Sequence, residues 1–508
     1  MSKPPQTRGL LAIPLAFALL ELVLQVTAIT NYGWFRDELY YVACSKHLAW
    51  GYVDQPPLSI ALLALWRGLF GESLVAMRCL PALAGAGTVF VTGVLAAKLG
   101  GGRFAQAVAC LCALFAPVYL ALDHYFSMNS LDLLFWTVAA LIVARILENP
   151  RPRDWMVLGV VLGLGLLNKA SMLWFGGALV LGLLLTPHRR LLAGRWPWIA
   201  AAIALAMLVP HVVWQVHNDW PTLEFMRHAT QEKMVHTSFG EFWKQQLLVM
   251  GPAMLPVWIA GLVWLCASSR WRIFAIVYLA VAALLVSSGS SRPNYLCVAY
   301  APLFAAGGVA LERFSARGWR TRLRPVAIGW LVLAGGAIVP LALPLLAPQT
   351  LIRYQQALHV KPKAQENTEE GKLGQFFADM FGWEELAERV ARVYRSLPEA
   401  ERAQCGIYCT NYGEAGAIDR FGAQYGLPPA LSGHNNYWLW GTHGCTGAVM
   451  IVVGGRPEDT HPYFQSSTLA DTTDCEYAMP YENGAAIWIC RGLEAPLEER
   501  WPALRHYR

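Results

Sequence analysis

The sequence predicts a polytopic α-helical membrane protein, with about eleven transmembrane helices and a C-terminal extracytoplasmic α/β domain. Three observations lead there. Hydrophobic residues make up 56% of the 508 and charged residues 15%, against about 25% charged in an ordinary soluble chain, and mean hydropathy is +0.37. Apolar runs of the roughly 17–25 residues needed to cross about 30 Å of hydrocarbon recur from residue 9 to residue 347. Beyond about residue 350 the composition becomes that of a soluble domain. Disordered, collagen-like and coiled-coil classes are excluded by the apolar content and by 21 Trp, 19 Tyr and 20 Phe.

The runs lie at approximately 9–30, 74–97, 104–122, 130–147, 155–169, 171–187, 196–216, 246–267, 271–289, 295–311 and 325–347. The first is too long for the apolar part of a cleavable signal and no A-x-A site follows, so it reads as a retained helix. Basic residues set the orientation. Alternate connections carry Lys3 and Arg8; Lys98 and Arg103; Arg145, Arg151 and Arg153; Arg189, Arg190 and Arg195; Arg270 and Arg272; and Arg313, Arg317, Arg320, Arg322 and Arg324. By the positive-inside rule these loops are cytoplasmic, which puts the N-terminus inside and the C-terminal domain outside, as in a bacterial-type inner membrane. The net charge of +6 is thereby a matter of bilayer orientation and not of nucleic-acid binding. The same alternation rejects 57–70 as a full span and makes it a helix lying at the interface.

This divides the chain into a membrane module, 1–349, with a first outer loop at 31–73, and a soluble domain, 350–508. A second outer segment, 217–245, holds His, Glu, Arg and Lys. In the C-terminal part, Trp383 to Ser396 reads as an amphipathic helix and Glu414 to Tyr425 as another. Cys405 to Thr410, Ala448 to Val453 and Ala485 to Cys490 read as buried strands. Five cysteines fall there, Cys405, Cys409, Cys445, Cys475 and Cys490. An oxidising exterior permits disulfides among them without fixing a pairing. Neither these cysteines nor His211, His217, His228 and His236 show a metal-ligand spacing, so no metal site is predicted, and a requirement for a divalent metal stays open.

Candidate chemistry begins in the first outer loop. Asp37 follows the first span by about seven residues, at a depth where a carboxylate can act as general base beside a lipid-borne substrate. Arg36, Asp37 and Glu38 also fit a plain hydrated helix start, where acids are favoured. Asp54 and Gln55 sit in an extended turn, and Asp123 and His124 end the third span. Asp132 lies within the fourth, where a carboxylate is costly and faces either a cavity or a local hydrogen-bonding partner. Lys169 and Arg292 are isolated cations on the outer side, against the loop bias. Orienting a phosphate anion and snorkelling to the interface both account for them. Tyr412, His434 and Asn435 belong to aromatic- and amide-rich segments suited to stacking on sugar rings as an acceptor-binding surface above the active site, or to plain turn and strand-cap duty.

In these residues the sequence resembles the GT-C membrane glycosyltransferases of family 39, the protein mannosyltransferase and lipid A aminoarabinose transferase superfamily. The likeness is carried by Phe35-Arg36-Asp37-Glu38-Leu39-Tyr40-Tyr41, Asp54-Gln55-Pro56-Pro57-Leu58, Asp132, Leu167-Asn168-Lys169-Ala170 and Arg292-Pro293-Asn294-Tyr295, spread over about residues 10–310. It implies transfer of a sugar from a polyprenyl-phosphate carrier to a lipid, glycan or protein acceptor on the outer face, with inversion. By position, Asp37 would be the base, Glu38 its support, and Asp132 an orienting group. Lys169, Arg292, Arg36 and Gln55 would meet the donor phosphate, and Asp54, Asp123 and His124 would lie toward the acceptor. Two departures stand out: Gln55-Pro56-Pro57 replaces the common Lys-Pro-Pro, and Lys169-Ala170-Ser171 the common Lys-Gly-Pro. Arg36 or Arg78 could supply the missing cation. A transporter or flippase is the competing class, but the inverted repeats it predicts are not seen in the sequence.

Overall fold

The computed structural model describes residues 11–233, 237–289, 292–361 and 369–508. Lys3, Arg8 and His236 lie outside the described residues, as do residues 9–10 of the first apolar run. From Ala12 to Ala342 the described chain is almost wholly helical, and the helices follow the apolar runs. Leu74–Lys98, Met128–Glu148, Trp196–His217 and Gly318–Ala342 are each long and apolar enough to cross a bilayer, four among the described residues.

Others are shortened or broken for local reasons. The run at 104–122 splits into Arg103–Phe115 and Pro117–Leu122, because Ala116 precedes a proline and is held extended at φ −65°, ψ 115°. The run at 246–267 becomes Phe239–Met250 and Pro252–Ala267, bent by 93°. Gly251 at the break has φ +85°, a conformation that other residues rarely adopt. Leu58–Phe70 is a 13-residue helix, about 20 Å long at 1.5 Å per residue, with Leu65, Leu69 and Phe70 exposed.

The C-terminal part folds around a five-stranded sheet in the order β2-β1-β3-β5-β4. The strands are β1 Cys405–Cys409, β2 Ala430–Leu431, β3 Val449–Val453, β4 Phe464–Thr472 and β5 Ala486–Leu493. β1 runs parallel to both β2 and β3, while β5 is antiparallel to β3 and β4. β1 and β3 carry the buried apolar residues expected of a covered parallel pair. Helix Trp383–Ser396 packs Leu386, Ala387 and Val390 into the core shared with Ile407 and Ile451. The eleven cysteines are all unpaired.

Helix Tyr412–Phe421 joins the two parts by lying directly on helix Arg36–Lys46 of the first loop. Gly413 and Gly416 make that approach possible. A Cβ on Gly416 would stand 2.9 Å from the Cβ of Leu39 and 3.2 Å from the Tyr40 nitrogen, and one on Gly413 would stand 2.6 Å from Cγ of Arg36. Trp34, Leu39, Tyr40 and Tyr41 therefore share one buried cluster with Tyr412, Ala415 and Ile418. Replacing Gly416 with Leu is expected to separate the two helices, at a cost of about 1–3 kcal/mol or more from overpacking. Faster proteolysis between the two parts and a lower Tm would report it.

Candidate active site

Two adjacent acids at the start of helix Arg36–Lys46 face opposite fates. Glu38 is fully buried and accepts four hydrogen bonds: from Phe35 N at 2.9 Å, Phe126 N at 3.0 Å, and Arg78 Nε and Nη2 at 3.1 and 3.0 Å. Arg78, also buried, donates onward to the carbonyls of Ile29 and Gly33 at 3.1 and 2.7 Å. Asp37 is one residue earlier, so it projects about 100° away around the helix, and its side chain is 32% exposed. The hydroxyl of Tyr412 donates to its Oδ1 at 2.9 Å, and Arg36 Nε stands 3.6 Å from the same oxygen.

Tyr125 links Asp37 to the candidate cations. Its phenol lies within electrostatic reach of both Asp37 and Arg292, and of the side chains of Ser127 and Asn129. Asn129 in turn accepts from Lys169 Nζ at 2.7 Å. Asp132 is buried, accepts from Ser171 Oγ at 2.7 Å on each oxygen, and lies 3.6 Å from Lys169 Nζ. Asn129, Asp132, Lys169, Asn294 and Tyr295 line a small cavity of about 10 Å³, and Lys169 lies over the Tyr295 ring at 5.2 Å. Ser171, which takes the place of a proline in the resembling motif, is thus the group that fixes Asp132.

Other candidates fall outside this cluster. The Arg36 guanidinium turns toward the C-terminal part, donating to the Tyr481 hydroxyl at 2.8 Å and lying 3.8 Å from Asp379. Gln55 is fully buried, and both its amide atoms lack a partner among the described residues. Arg78 is committed to Glu38 and is no substitute cation. Asp54 accepts from Tyr40 OH at 2.9 Å. Asp123 is buried against Gly85, while His124 Nε2 stands 3.3 Å from Arg78 Nη1. His434 and Asn435 meet the main chain of Arg508, through Nε2 to its carbonyl at 2.8 Å and through Oδ1 to its N–H at 3.1 Å.

A larger cavity, about 910 Å³, opens between helix Arg36–Lys46 and the C-terminal sheet. Thr410, Asn411, Gly454 and Gly455 line it, with Arg36, Tyr412, Glu414, His434 and Tyr481. Glu414 closes a capping box with Asn411, a pattern readable three residues apart in the sequence. It accepts from Thr410 N at 2.8 Å and Asn411 N at 3.2 Å. Glu482, which no local pattern marks, accepts from Asn411 Nδ2 at 3.1 Å. Burial pushes Glu482 up to about 7, with Arg36 pulling the other way. Burial, and then the facing Glu482, holds Glu414 well above the usual carboxylate range. Among the described residues, no group of three or more His, Cys, Asp or Glu is placed to hold a metal ion.

The profile of a family described as dolichyl-phosphate-mannose-protein mannosyltransferase matches residues 54–214. The undecaprenyl phosphate-alpha-4-amino-4-deoxy-L-arabinose arabinosyl transferases of Pseudomonas paraeruginosa and Pseudomonas aeruginosa (strain LESB58) are each 27% identical over 391 residues. The match covers 69% of this chain and spans 66% of those relatives' length. Among solved structures, ArnT from Cupriavidus metallidurans in the apo state superposes with a TM-score of 0.63 at 14% identity, over 93% of this chain and 97% of that one. The same protein bound to undecaprenyl phosphate gives 0.59 at 15% identity, over 95% and 98%. The Archaeoglobus fulgidus oligosaccharyltransferase with Zn and sulfate gives 0.53 at 11%, over 87% and 68%. The chain has the GT-C fold and resembles the lipid A aminoarabinose transferases.

The Glu414–Glu482 pair generates a pH test. A carboxyl raised on folding adds stability below its unfolded value and loses it as pH rises through the folded one, so the window for Glu482 runs from about 4.5 to about 7. Glu482→Gln keeps an acceptor for Asn411 and removes the titration. The variant is expected to gain on the order of 1–2 kcal/mol over wild type at pH 8, with the gain shrinking toward pH 5 in thermal unfolding curves.

Proposed function

We propose that this chain is an inverting membrane glycosyltransferase that moves a sugar from a polyprenyl-phosphate donor to an acceptor at the extracytoplasmic face. The observation that carries the reading is the gathering around Tyr125 and Asn129 of a partly exposed carboxylate, Asp37, and two cations, Lys169 and Arg292. The named activity of the Pseudomonas relatives and the undecaprenyl phosphate held by a structure of the same fold support the donor class.

Asp37 takes the proton of an acceptor hydroxyl, whose oxygen attacks the anomeric carbon from the face opposite the phosphate. The bond from that carbon to the phosphate oxygen breaks, and the polyprenyl phosphate leaves with the electron pair. Lys169 and Arg292 offset the charge growing on the departing oxygen. Asp132, 3.6 Å from Lys169 Nζ and held by Ser171, and Asn129, which accepts from Nζ at 2.7 Å, fix the position of the ammonium group. Tyr412 orients Asp37, and Glu38, with no exposed oxygen, holds the helix that presents it. Positioning and charge are most of what such a leaving group needs.

The membrane frame of this proposal keeps eleven crossings, the N-terminus and the arginine-bearing loops in the cytoplasm, and a C-terminal α/β domain at 350–508 outside. The helices shorter than a full crossing are accommodated by local thinning of the bilayer and snorkelling of flanking residues.

Asp37→Asn is expected to lower turnover by 10²–10⁴-fold while leaving donor binding intact, as followed by release of label from a radiolabelled polyprenyl-phosphate sugar. Equal rates for variant and wild type would remove Asp37 from the role. Lys169→Ala should cost about 1.5–3 kcal/mol in donor affinity or in kcat, and unchanged kinetics would return this side chain to simple snorkelling.

A further inference from the structure

A basic cluster lies at the far end of helix Arg36–Lys46 from Asp37, about 14 Å away along the axis at 1.5 Å per residue. Lys46, Arg67 and Arg420 reach it from three separate parts of the chain and converge on Glu72. Lys46 Nζ stands 4.0 Å from Glu72 Oε2, Arg67 pairs with Glu72 Oε1, and Arg420 donates to the Glu72 carbonyl at 3.3 Å. All three cations are held below their ordinary pKa values, first by burial. Arg67 adds to the effect on Lys46, and Arg420 to the effect on Arg67. Asp419 and Glu384 pull the other way without restoring them. An anion placed among the three would relieve that repulsion.

The cluster borders an apolar surface. Leu65 and Leu69 are one turn apart on helix Leu58–Phe70 and both are exposed. Arg67 lies about 200° around the helix from either and turns back to Ser45 and Glu72. Phe70 is exposed as well, as are Leu48 and Trp50 just after Lys46. Two helices long enough to cross a bilayer set the depth. Leu74–Lys98 begins just after Glu72, and the Trp50 carbonyl meets His211 Nδ1 at 3.0 Å near the end of Trp196–His217. A short helix with leucines on one side and a cation on the other, at the level where spans begin and end, has the pattern of a segment lying among lipid headgroups. Trp50 fits the aromatic belt of the same zone.

We propose that Lys46, Arg67 and Arg420 hold the phosphodiester of an anionic bilayer phospholipid whose acyl chains lie along Leu65 and Leu69. The headgroup then bridges the membrane part, through Arg67, and the C-terminal part, through Arg420. The outer leaflet follows from the membrane frame proposed above, while the binding itself depends on neither that frame nor transfer at Asp37. Native mass spectrometry of the full-length protein in detergent counts bound lipid as phosphatidylglycerol, phosphatidylcholine or undecaprenyl phosphate is titrated in. Phosphatidylglycerol is expected to bind most tightly. Lys46→Gln, at a side chain 41% exposed, should weaken it about fivefold, the effect of one basic residue at a lipid surface. Glu72→Gln removes the carboxylate that competes with the phosphate and should tighten it by a similar factor. Lys372→Gln, at an exposed lysine of the C-terminal part, should change nothing. Equal affinity for phosphatidylglycerol and phosphatidylcholine, no response to Lys46→Gln, an equal loss in Lys372→Gln, or a folded Glu72→Gln variant that binds no more tightly would overturn the proposal. So would a preference for undecaprenyl phosphate, which would give these cations to the donor. Turnover at Asp37 is measured separately and stands or falls on its own assay.

Discussion

A single buried ion pair fixes the orientation of the first loop. Glu38 and Arg78 have no solvent exposure on their side chains, and every oxygen of the carboxylate is spoken for. Breaking such a pair costs about 3–5 kcal/mol because it strands a charge away from water. The pair ties the helix start to Leu74–Lys98, and through Arg78 to the main chain leaving the first helix. With Glu38 locked inward, Asp37 has one direction left to face. The availability of the proposed base is thus a by-product of its neighbour's burial.

Much of the scaffold was legible because it rests on local patterns. Apolar runs located the helices, the 3.6-residue period of Trp383–Ser396 marked its buried face, and continuous apolar stretches marked β1, β3 and β5. β4 escaped because Phe464–Thr472 is a polar, exposed edge strand, and β2 because it is two residues long. Helix ends near Ala116 and Gly251 depended on single residues that a hydropathy count averages away. Asp37, Asp132 and Lys169 could be singled out by charge in an apolar setting. The partner of Glu38 could not, since Arg78 is 40 positions distant, and Arg36 could not be assigned a direction without Tyr481 and Asp379. Gly413 precedes the helix expected from Glu414 and Gly416 lies within it, and neither shows its packing role until the helix that lies on them is known.

The two cavities differ in character. Around Lys169 the space is tiny and holds a paired charge, Lys169 against Asp132, with Asn129 and Tyr295 beside them. Above helix Arg36–Lys46 the space is wide and floored by an acid. Tyr412 lines the larger one and donates to Asp37.

The glycine seam between Tyr412–Phe421 and Arg36–Lys46 has a mechanical consequence. Side chains at a helix contact act as cushions that let one rod slide over another by changing rotamer. Gly413 and Gly416 provide none, so main chain rests against Leu39, Tyr40 and Arg36 directly. Close contact along that seam fixes how the C-terminal sheet and the first loop meet. The carboxylate of Asp37 and the C-terminal part are thereby tied through one helix, whose Tyr412 donates to it.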